Sequence, residues 1–113
     1  MTIEADPKLL RSAVTNLLRN AVKFTRPGSH VVLRGGLRAE GGVFIEVEDG
    51  CGGLAPGSMA KIFTPFTQAS ADRSGFGLGL AITRQAIQAQ GGSVTVRDLP
   101  GRGCVFAINF PRP

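Results

Sequence analysis

The stretch Asn16-Leu-Leu-Arg-Asn-Ala-Val-Lys-Phe-Thr25 decides how the rest of the chain is interpreted. On a helix at about 100° per residue, its apolar positions join one stripe, which consists of Leu10, Val14, Leu17, Ala21 and Phe24. Asn16, Asn20 and Lys23 form a polar row along the edge of that stripe. Carboxamide oxygens suit Mg²⁺, a hard cation, and a lysine beside them suits phosphate. Taken alone, an amphipathic helix with incidental polar residues at the core boundary explains the row at least as well.

Composition indicates one compact domain spanning residues 1–113, because 42% hydrophobic residues supply a real core. Sixteen glycines occur in clusters, which predicts loops shaped around a ligand. The net charge of +5 favours anionic partners. The arginines are scattered and the chain has no Tyr or Trp, so a nucleic-acid partner is not predicted.

The same sequence gives no sign of membrane insertion or secretion. No apolar run approaches the roughly 18 residues of a membrane span, and no signal peptide is visible. Two cysteines far apart in the chain fit a cytoplasmic protein with thiols better than a disulfide scaffold. A membrane anchor elsewhere in a parent protein is left open.

Local signals divide the chain into helices and hairpins. Asp6 is the expected N-cap of the first helix, with Pro7 at its first position and residues 26–28 ending it. The further elements are strands at 31–38 and 43–48, a short helix at 58–63, a helix from about 75 to 90, and strands at 93–98 and 104–110. This order fits an α/β fold, a two-layer sandwich with a mixed, largely antiparallel sheet and helices on one face.

Two glycine-rich segments adjoin these elements. Asp49-Gly50-Cys51-Gly52-Gly53-Leu54 follows the second strand, and a carboxylate followed by small residues lets a ligand approach the backbone. Gly75-Phe76-Gly77-Leu78-Gly79-Leu80 opens a helix, whose N–H groups and dipole favour an anion. A loop and not a strand precedes these glycines, so they are not a dinucleotide-binding fingerprint. They are not a Walker A loop either, because the Gly-Lys-Ser/Thr that ends such a loop is absent.

Together these segments resemble the ATP-binding catalytic domain of sensor histidine kinases, which has the Bergerat-type fold shared with gyrase and certain heat-shock chaperones. The resemblance covers nearly the whole chain and follows the family's order of motifs. The matching segments are an N box at 16–25, a G1 box at 49–54, an F box at 63–66, a G2 box at 75–80 and a G3-like turn at 101–106. The short segment between Phe66 and Gly75 matches the compact lid of histidine kinases.

The resemblance implies roles for individual residues. Asn20 would coordinate Mg²⁺, Asn16 would support the metal or the triphosphate, and Lys23 would contact phosphate. Asp49 would accept a hydrogen bond from the adenine amino group, and Gly53 would let the backbone pass the base. The remaining nucleotide contacts would come from the lid and the G2 box, through Arg73, Gly75, Gly77, Leu78, Gly79 and Leu80.

The resemblance also implies that the chain is a fragment of a larger kinase. Its ATP would phosphorylate a histidine on a separate dimerisation domain of the same parent, a homodimer that serves a downstream response regulator. His30 is expected at a strand end and not on a dimerisation helix, so the acceptor would lie outside this chain.

Two cysteines depart from the family pattern. Cys51 stands where the G1 box has glycine, and Cys104 stands where the G3-like turn commonly has Thr or Ser. Both boxes line the adenine end in the family, so we hypothesise that the two thiols form an oxidisable pair gating ATP entry. Packing of two small residues is the simpler alternative.

Three other functions remain open at this level. A serine kinase of the anti-sigma-factor type shares the fold. A degenerate domain would bind nucleotide or a partner without turnover, and the two cysteines are its support. A basic nucleic-acid module is the third and has the least support, because the arginines are scattered and the chain has no Tyr or Trp.

Overall fold

The computed structural model describes residues 5–53 and 77–111. Its elements are α1 (Pro7–Phe24), β1 (Val32–Leu37), β2 (Val43–Asp49), α2 (Gly77–Ala89), β3 (Ser93–Leu99) and β4 (Gly103–Phe110). These bounds lie within about two residues of those expected from the sequence. The short helix expected at 58–63, the F box and the lid lie outside the described residues.

The four described strands form one sheet in the order β1-β2-β4-β3. Every neighbouring pair is antiparallel, so the sheet is antiparallel throughout its described part rather than mixed. Two hairpins, β1–β2 and β3–β4, supply the outer pairs, as the sequence predicts. The long-range pair β2–β4 joins them and sets Asp49 opposite Cys104.

Helix α1 begins and ends where local chemistry requires. The Asp6 carboxylate accepts hydrogen bonds from the backbone N–H groups of Lys8 and Leu9, and Pro7 occupies the first turn. These bonds satisfy donors that have no partner inside the helix. Thr25 ends the helix in extended conformation.

Replacing Asp6 by Ala should therefore destabilise the domain by about 1 kcal/mol, the usual cost of losing an N-cap side chain. The matched control is Lys8→Ala, which leaves the backbone N–H that Asp6 caps in place. Urea unfolding followed by circular dichroism measures both. An equal loss of stability in Lys8→Ala would contradict the capping role.

Both helices cover the same face of the sheet. α1 packs against α2 and β2, and α2 packs against β3. The core between the two layers includes Ala13, Leu17, Ala21, Val47, Leu80, Ile87, Val94, Cys104, Phe106, Ile108 and Phe110. This confirms the α/β sandwich, the apolar stripe of α1 and the inward alternation of β4.

The opposite sheet face carries charge. Arg34 of β1 forms ion pairs with Glu46 and Glu48 of β2, at 3.2 and 2.7 Å. The hydrogen bonds to Glu48 and then Glu46 raise the pKa of the Arg34 guanidinium, which stays charged.

Among residues 5–53 and 77–111, no helix is both long and apolar enough to cross a membrane.

Candidate functional site

Asn20 lies in the interior between the two layers. Its side chain is only 9% exposed, and its Nδ2 has no hydrogen-bond partner within the described part of the chain. A buried amide normally satisfies its polar atoms, because an unpaired one costs about 1–3 kcal/mol. The unsatisfied amide makes Asn20 a candidate for contact with a polar ligand, and its predicted role as a Mg²⁺ ligand stays a prediction.

Asn16, one turn earlier, has a partner inside the protein. Its Nδ2 donates a hydrogen bond to Oγ1 of Thr83 on α2, at 3.1 Å. Thr83 is 2% exposed, so this bond ties the two helices together in the interior. Asn16 thus positions α1 against α2, and its predicted contact with the nucleotide stays a prediction.

Thr83 was missed from the sequence, although a signal existed. Leu80, Thr83 and Ile87 follow the spacing i, i+3, i+7 and share one buried helix face. A hydroxyl on such a face needs a partner, and Asn16 and Asn20 were the amides that the facing helix offered.

Lys23 ends the polar row on the exposed side of α1. Its Nζ lies 5.3 Å from the centroid of the Phe24 ring, a cation–π contact. Its predicted contact with phosphate stays a prediction.

Asp49 ends β2 on the face that the helices cover. It is 2% exposed. Its Oδ1 accepts a hydrogen bond from the backbone N–H of Cys51 at 3.0 Å, and its Oδ2 accepts one from the thiol of Cys104 at 3.4 Å. The carboxylate is therefore fixed in orientation by the loop that follows it and by the neighbouring strand.

The loop after Asp49 is held on two sides. The backbone N–H of Gly50 donates to Oγ1 of Thr25 at 3.0 Å, and the N–H of Arg26 donates to the Gly50 carbonyl at 3.0 Å. The N–H of Gly52 donates to the carbonyl of Arg102 in the β3–β4 turn at 2.9 Å. The end of α1 and the G3-like turn thus set the path of the G1 loop.

Glycine is required at two positions of that loop. Gly52 and Gly53 have φ angles of +96° and +102°, which side-chain-bearing residues rarely adopt. A Cβ on Gly53 would also lie 3.1 Å from the backbone nitrogen of Gly101. In the family pattern, a glycine at the position of Cys51 begins this turn. Here Gly52 and Gly53 supply the turn instead.

The G2 segment is described only in part. α2 begins at Gly77, so the backbone of Gly77, Leu78 and Gly79 forms its first turn, as expected for an anion site. Leu80 is 3% exposed and its side chain belongs to the core. Arg73 and Gly75 lie outside the described residues, and all nucleotide contacts of this segment stay predictions.

The two cysteines that depart from the family pattern lie together. Both are thiols, and their Sγ atoms and an Asp49 carboxylate oxygen all lie within 4.8 Å of one another. This proximity was expected, and an oxidisable pair requires it. Oxidation itself stays a prediction, which thiol titration after mild peroxide tests: two remaining thiols would contradict it.

The fold defines a class of protein: an α/β sandwich in which α1, the end of β2 and the start of α2 carry the predicted site residues. Comparison with known proteins makes the class specific. Residues 5–113 match the family described as histidine kinase-, DNA gyrase B-, and HSP90-like ATPase. The chain belongs to this ATPase family.

The relatives found within the family are sensor kinases. Sensor protein TorS of Escherichia coli is 41% identical over 107 residues, which covers 94% of this chain and 11% of TorS. The structure of full-length ShkA in complex with AMPPNP has a TM-score of 0.81 at 38% identity, over 97% of this chain and 23% of that one. The structure of the mycobacterial sensor histidine kinase MprB has a TM-score of 0.82 at 30% identity. The match covers 98% of this chain and 76% of the MprB chain.

The chain spans only a small part of its curated relatives. It covers 11% of TorS and 15% of the circadian input-output histidine kinase CikA of Synechococcus elongatus. The alignments cover nearly all of this chain, so the shared unit is the domain described above.

Proposed function

We propose that this chain is the Mg²⁺-ATP-binding catalytic domain of a sensor histidine kinase, which donates the γ-phosphate to a histidine on a separate dimerisation domain. The observation that carries the proposal is Asn20, a nine-tenths buried amide with an unsatisfied Nδ2. Such a group fits a polar ligand beside α1, because its N–H can donate to an acceptor such as a phosphate oxygen and its oxygen can bind a cation. Its side-chain oxygen would hold Mg²⁺, which neutralises the charge of the phosphates when bound.

Asp49 would recognise the adenine ring. A carboxylate accepts hydrogen bonds only, so it suits the exocyclic amino group of adenine and not the carbonyl oxygen of guanine. Its two oxygens are already oriented by Cys51 and Cys104. Gly53, which carries no side chain, would let the backbone of the loop lie close to the base.

The phosphates would be held by positive charge and by backbone donors. Lys23 would supply an ammonium, and the first turn of α2 at Gly77–Leu80 would supply N–H groups and its dipole. Gly75 and Arg73 would add contacts from the lid side. These groups orient the triphosphate and neutralise its charge, and phosphoryl transfer depends mainly on both effects.

The acceptor and partners would belong to the parent protein. His30 is exposed and precedes β1, so it is not placed on a helix that another subunit could present. The proposal therefore assigns the acceptor histidine to a dimerisation domain of a homodimeric parent, with a response regulator downstream. The relatives do not favour the serine-kinase alternative, since CikA and MprB are histidine kinases.

The test is transfer of phosphate from ATP through this chain. Calorimetry with Mg²⁺-ADP should show binding, and radiolabelled ATP plus a histidine-bearing dimerisation domain should then yield an acid-labile phosphoprotein. The matched control is the same acceptor domain with its histidine replaced. Absence of nucleotide binding would contradict the proposal, and an acid-stable product would indicate a serine kinase.

A further inference from the structure

Three potential metal ligands converge where β2 ends. Asp49, Cys51 and Cys104 each offer one ligand atom, and these atoms lie within 4.8 Å of one another. Asp49 and Cys104 are buried at 2% and 0% exposure, whereas Cys51 is partly exposed. The cluster therefore has two ligands fixed in the interior and a third at its rim.

The positions of the ligands are set by the surrounding backbone. Cys104 lies directly opposite Asp49 in the β2–β4 register, so the sheet itself brings a thiol and a carboxylate together. Cys51 is held through its own N–H, which donates to Asp49 Oδ1. Hydrogen bonds from Gly50 and Gly52 to Thr25 and Arg102 fix the residues on either side of Cys51.

The distances suit a tetrahedral ion of the zinc type. With Zn–S near 2.3 Å and Zn–O near 2.0 Å, neighbouring ligand atoms are separated by about 3.5–3.8 Å. Cys104 Sγ and Asp49 Oδ2 are already 3.4 Å apart. Cys51 Sγ lies within 4.8 Å of both atoms and donates to the Gly53 carbonyl at 3.6 Å, a contact that it would give up to become the third ligand. Two sulfur ligands select zinc-type ions and exclude Mg²⁺, which prefers oxygen.

We propose that Asp49, Cys51 and Cys104 form a Zn²⁺ site at the end of β2. Zinc replaces the two thiol protons, which pass to the buffer, and binds two thiolates and one carboxylate oxygen. These three protein ligands leave a fourth position for water.

Zinc and adenine then compete for the same carboxylate. This step rests on the proposed function, in which Asp49 binds the adenine amino group. A carboxylate oxygen bound to zinc is not available to a base, so zinc binding lowers nucleotide affinity and nucleotide lowers zinc affinity by the same factor. The site thereby links a metal signal to ATP binding.

Zinc binding is tested first without nucleotide, on the whole chain kept reduced with a phosphine. Calorimetric titration with Zn²⁺ should show one bound ion. Co²⁺ should give thiolate-to-metal charge-transfer absorption and tetrahedral visible bands. Cys51→Ala should weaken Zn²⁺ binding by more than about tenfold, since even outer-shell partners contribute about 10- to 100-fold. Cys104 is fully buried in the core, so Cys51→Ala is the more decisive variant.

Glu48→Gln is the matched control, because it removes a carboxylate on the other face of the same strand. It should bind Zn²⁺ as the unmodified chain does. The zinc site would be overturned if Cys51→Ala bound Zn²⁺ as tightly as the unmodified chain does. Co²⁺ spectra without thiolate-to-metal absorption would overturn it as well.

Competition is tested second. Saturating Mg²⁺-ADP should lower Zn²⁺ affinity by at least about fivefold, the lower end of coupling between linked sites. If the chain binds both ligands independently, the competition is overturned while the zinc site stands. If it binds Zn²⁺ but no nucleotide, the proposed function fails and the zinc site is unaffected.

Discussion

Replacement of Asn20 by Ala is expected to lower the Mg²⁺-dependent affinity for ATP by roughly 10- to 100-fold while the domain stays folded. A bond between a polar group and a charged partner contributes about 1.5–3 kcal/mol, which corresponds to that range. The loss should disappear when Mg²⁺ is chelated, because the amide oxygen would act through the metal. Nucleotide titrations with Mg²⁺ and with EDTA measure both quantities.

The fold should survive because Asn20 contributes little to it. Its Nδ2 is buried without a partner in the described part of the chain, so removing the amide removes an unsatisfied group. Unaffected binding in Asn20→Ala would refute the metal role.

Asn16→Ala is the matched control, one helical turn away and with the same change of side chain. Asn16 bonds to Thr83, so its loss should cost about 1 kcal/mol of stability or more, with Thr83 left unpaired in the interior. Its effect on ATP affinity should be the smaller of the two. If Asn16→Ala abolished ATP binding and Asn20→Ala only lowered stability, the roles would be reversed. Asn16 would then be the metal ligand and Asn20 the structural residue.

This contrast between Asn16 and Asn20 also marks what sequence can predict. Both lie on the same edge of α1, and helical spacing alone ranks them equally. The distinction depends on Thr83, which is 67 residues from Asn16 in the chain. Periodicity predicts which face of a helix is buried, but it does not predict which groups on another element meet that face.

The elements themselves follow from short-range signals. Asp6 and Pro7 fix the start of α1, and alternation in β2 and β4 fixes the side that faces the helices. The pairing of β2 with β4 is a long-range event that no turn specifies, and it alone places Asp49 opposite Cys104. The family resemblance anticipated that Cys51 and Cys104 lie close together, but not that Asp49 pairs with Cys104, and composition and spacing could predict neither.

Val105 illustrates a second limit. It points away from the helices yet is only 1% exposed. In the register it lies between Glu48 of β2 and Arg97 of β3, both of which alternation marks as solvent-facing. Long charged side chains can cover a neighbouring apolar residue with their methylene groups. Binary alternation therefore underestimates burial at the centre of a sheet face.

Asp49→Asn is expected to lower ATP affinity by roughly 10- to 100-fold and to reduce the preference for ATP over GTP. The asparagine oxygen can keep the bond from the Cys51 N–H, which occupies the one acceptor that the amide has. Its NH₂ group would then face the base, where it repels the adenine amino group and favours the guanine carbonyl oxygen. Competition titrations with ATP and GTP measure the change in preference.

The sign of the effect separates recognition from general electrostatics. Removing a carboxylate from a chain of net charge +5 makes it more attractive to a triphosphate, so a purely electrostatic role predicts tighter binding. Glu48→Gln makes the same change of charge on the opposite sheet face and should leave ATP affinity nearly unchanged or slightly raised. Weaker ATP binding in Asp49→Asn but not in Glu48→Gln, with GTP binding less affected, is the result expected if the Asp49 oxygens contact the base. An unchanged preference for ATP would place the adenine elsewhere.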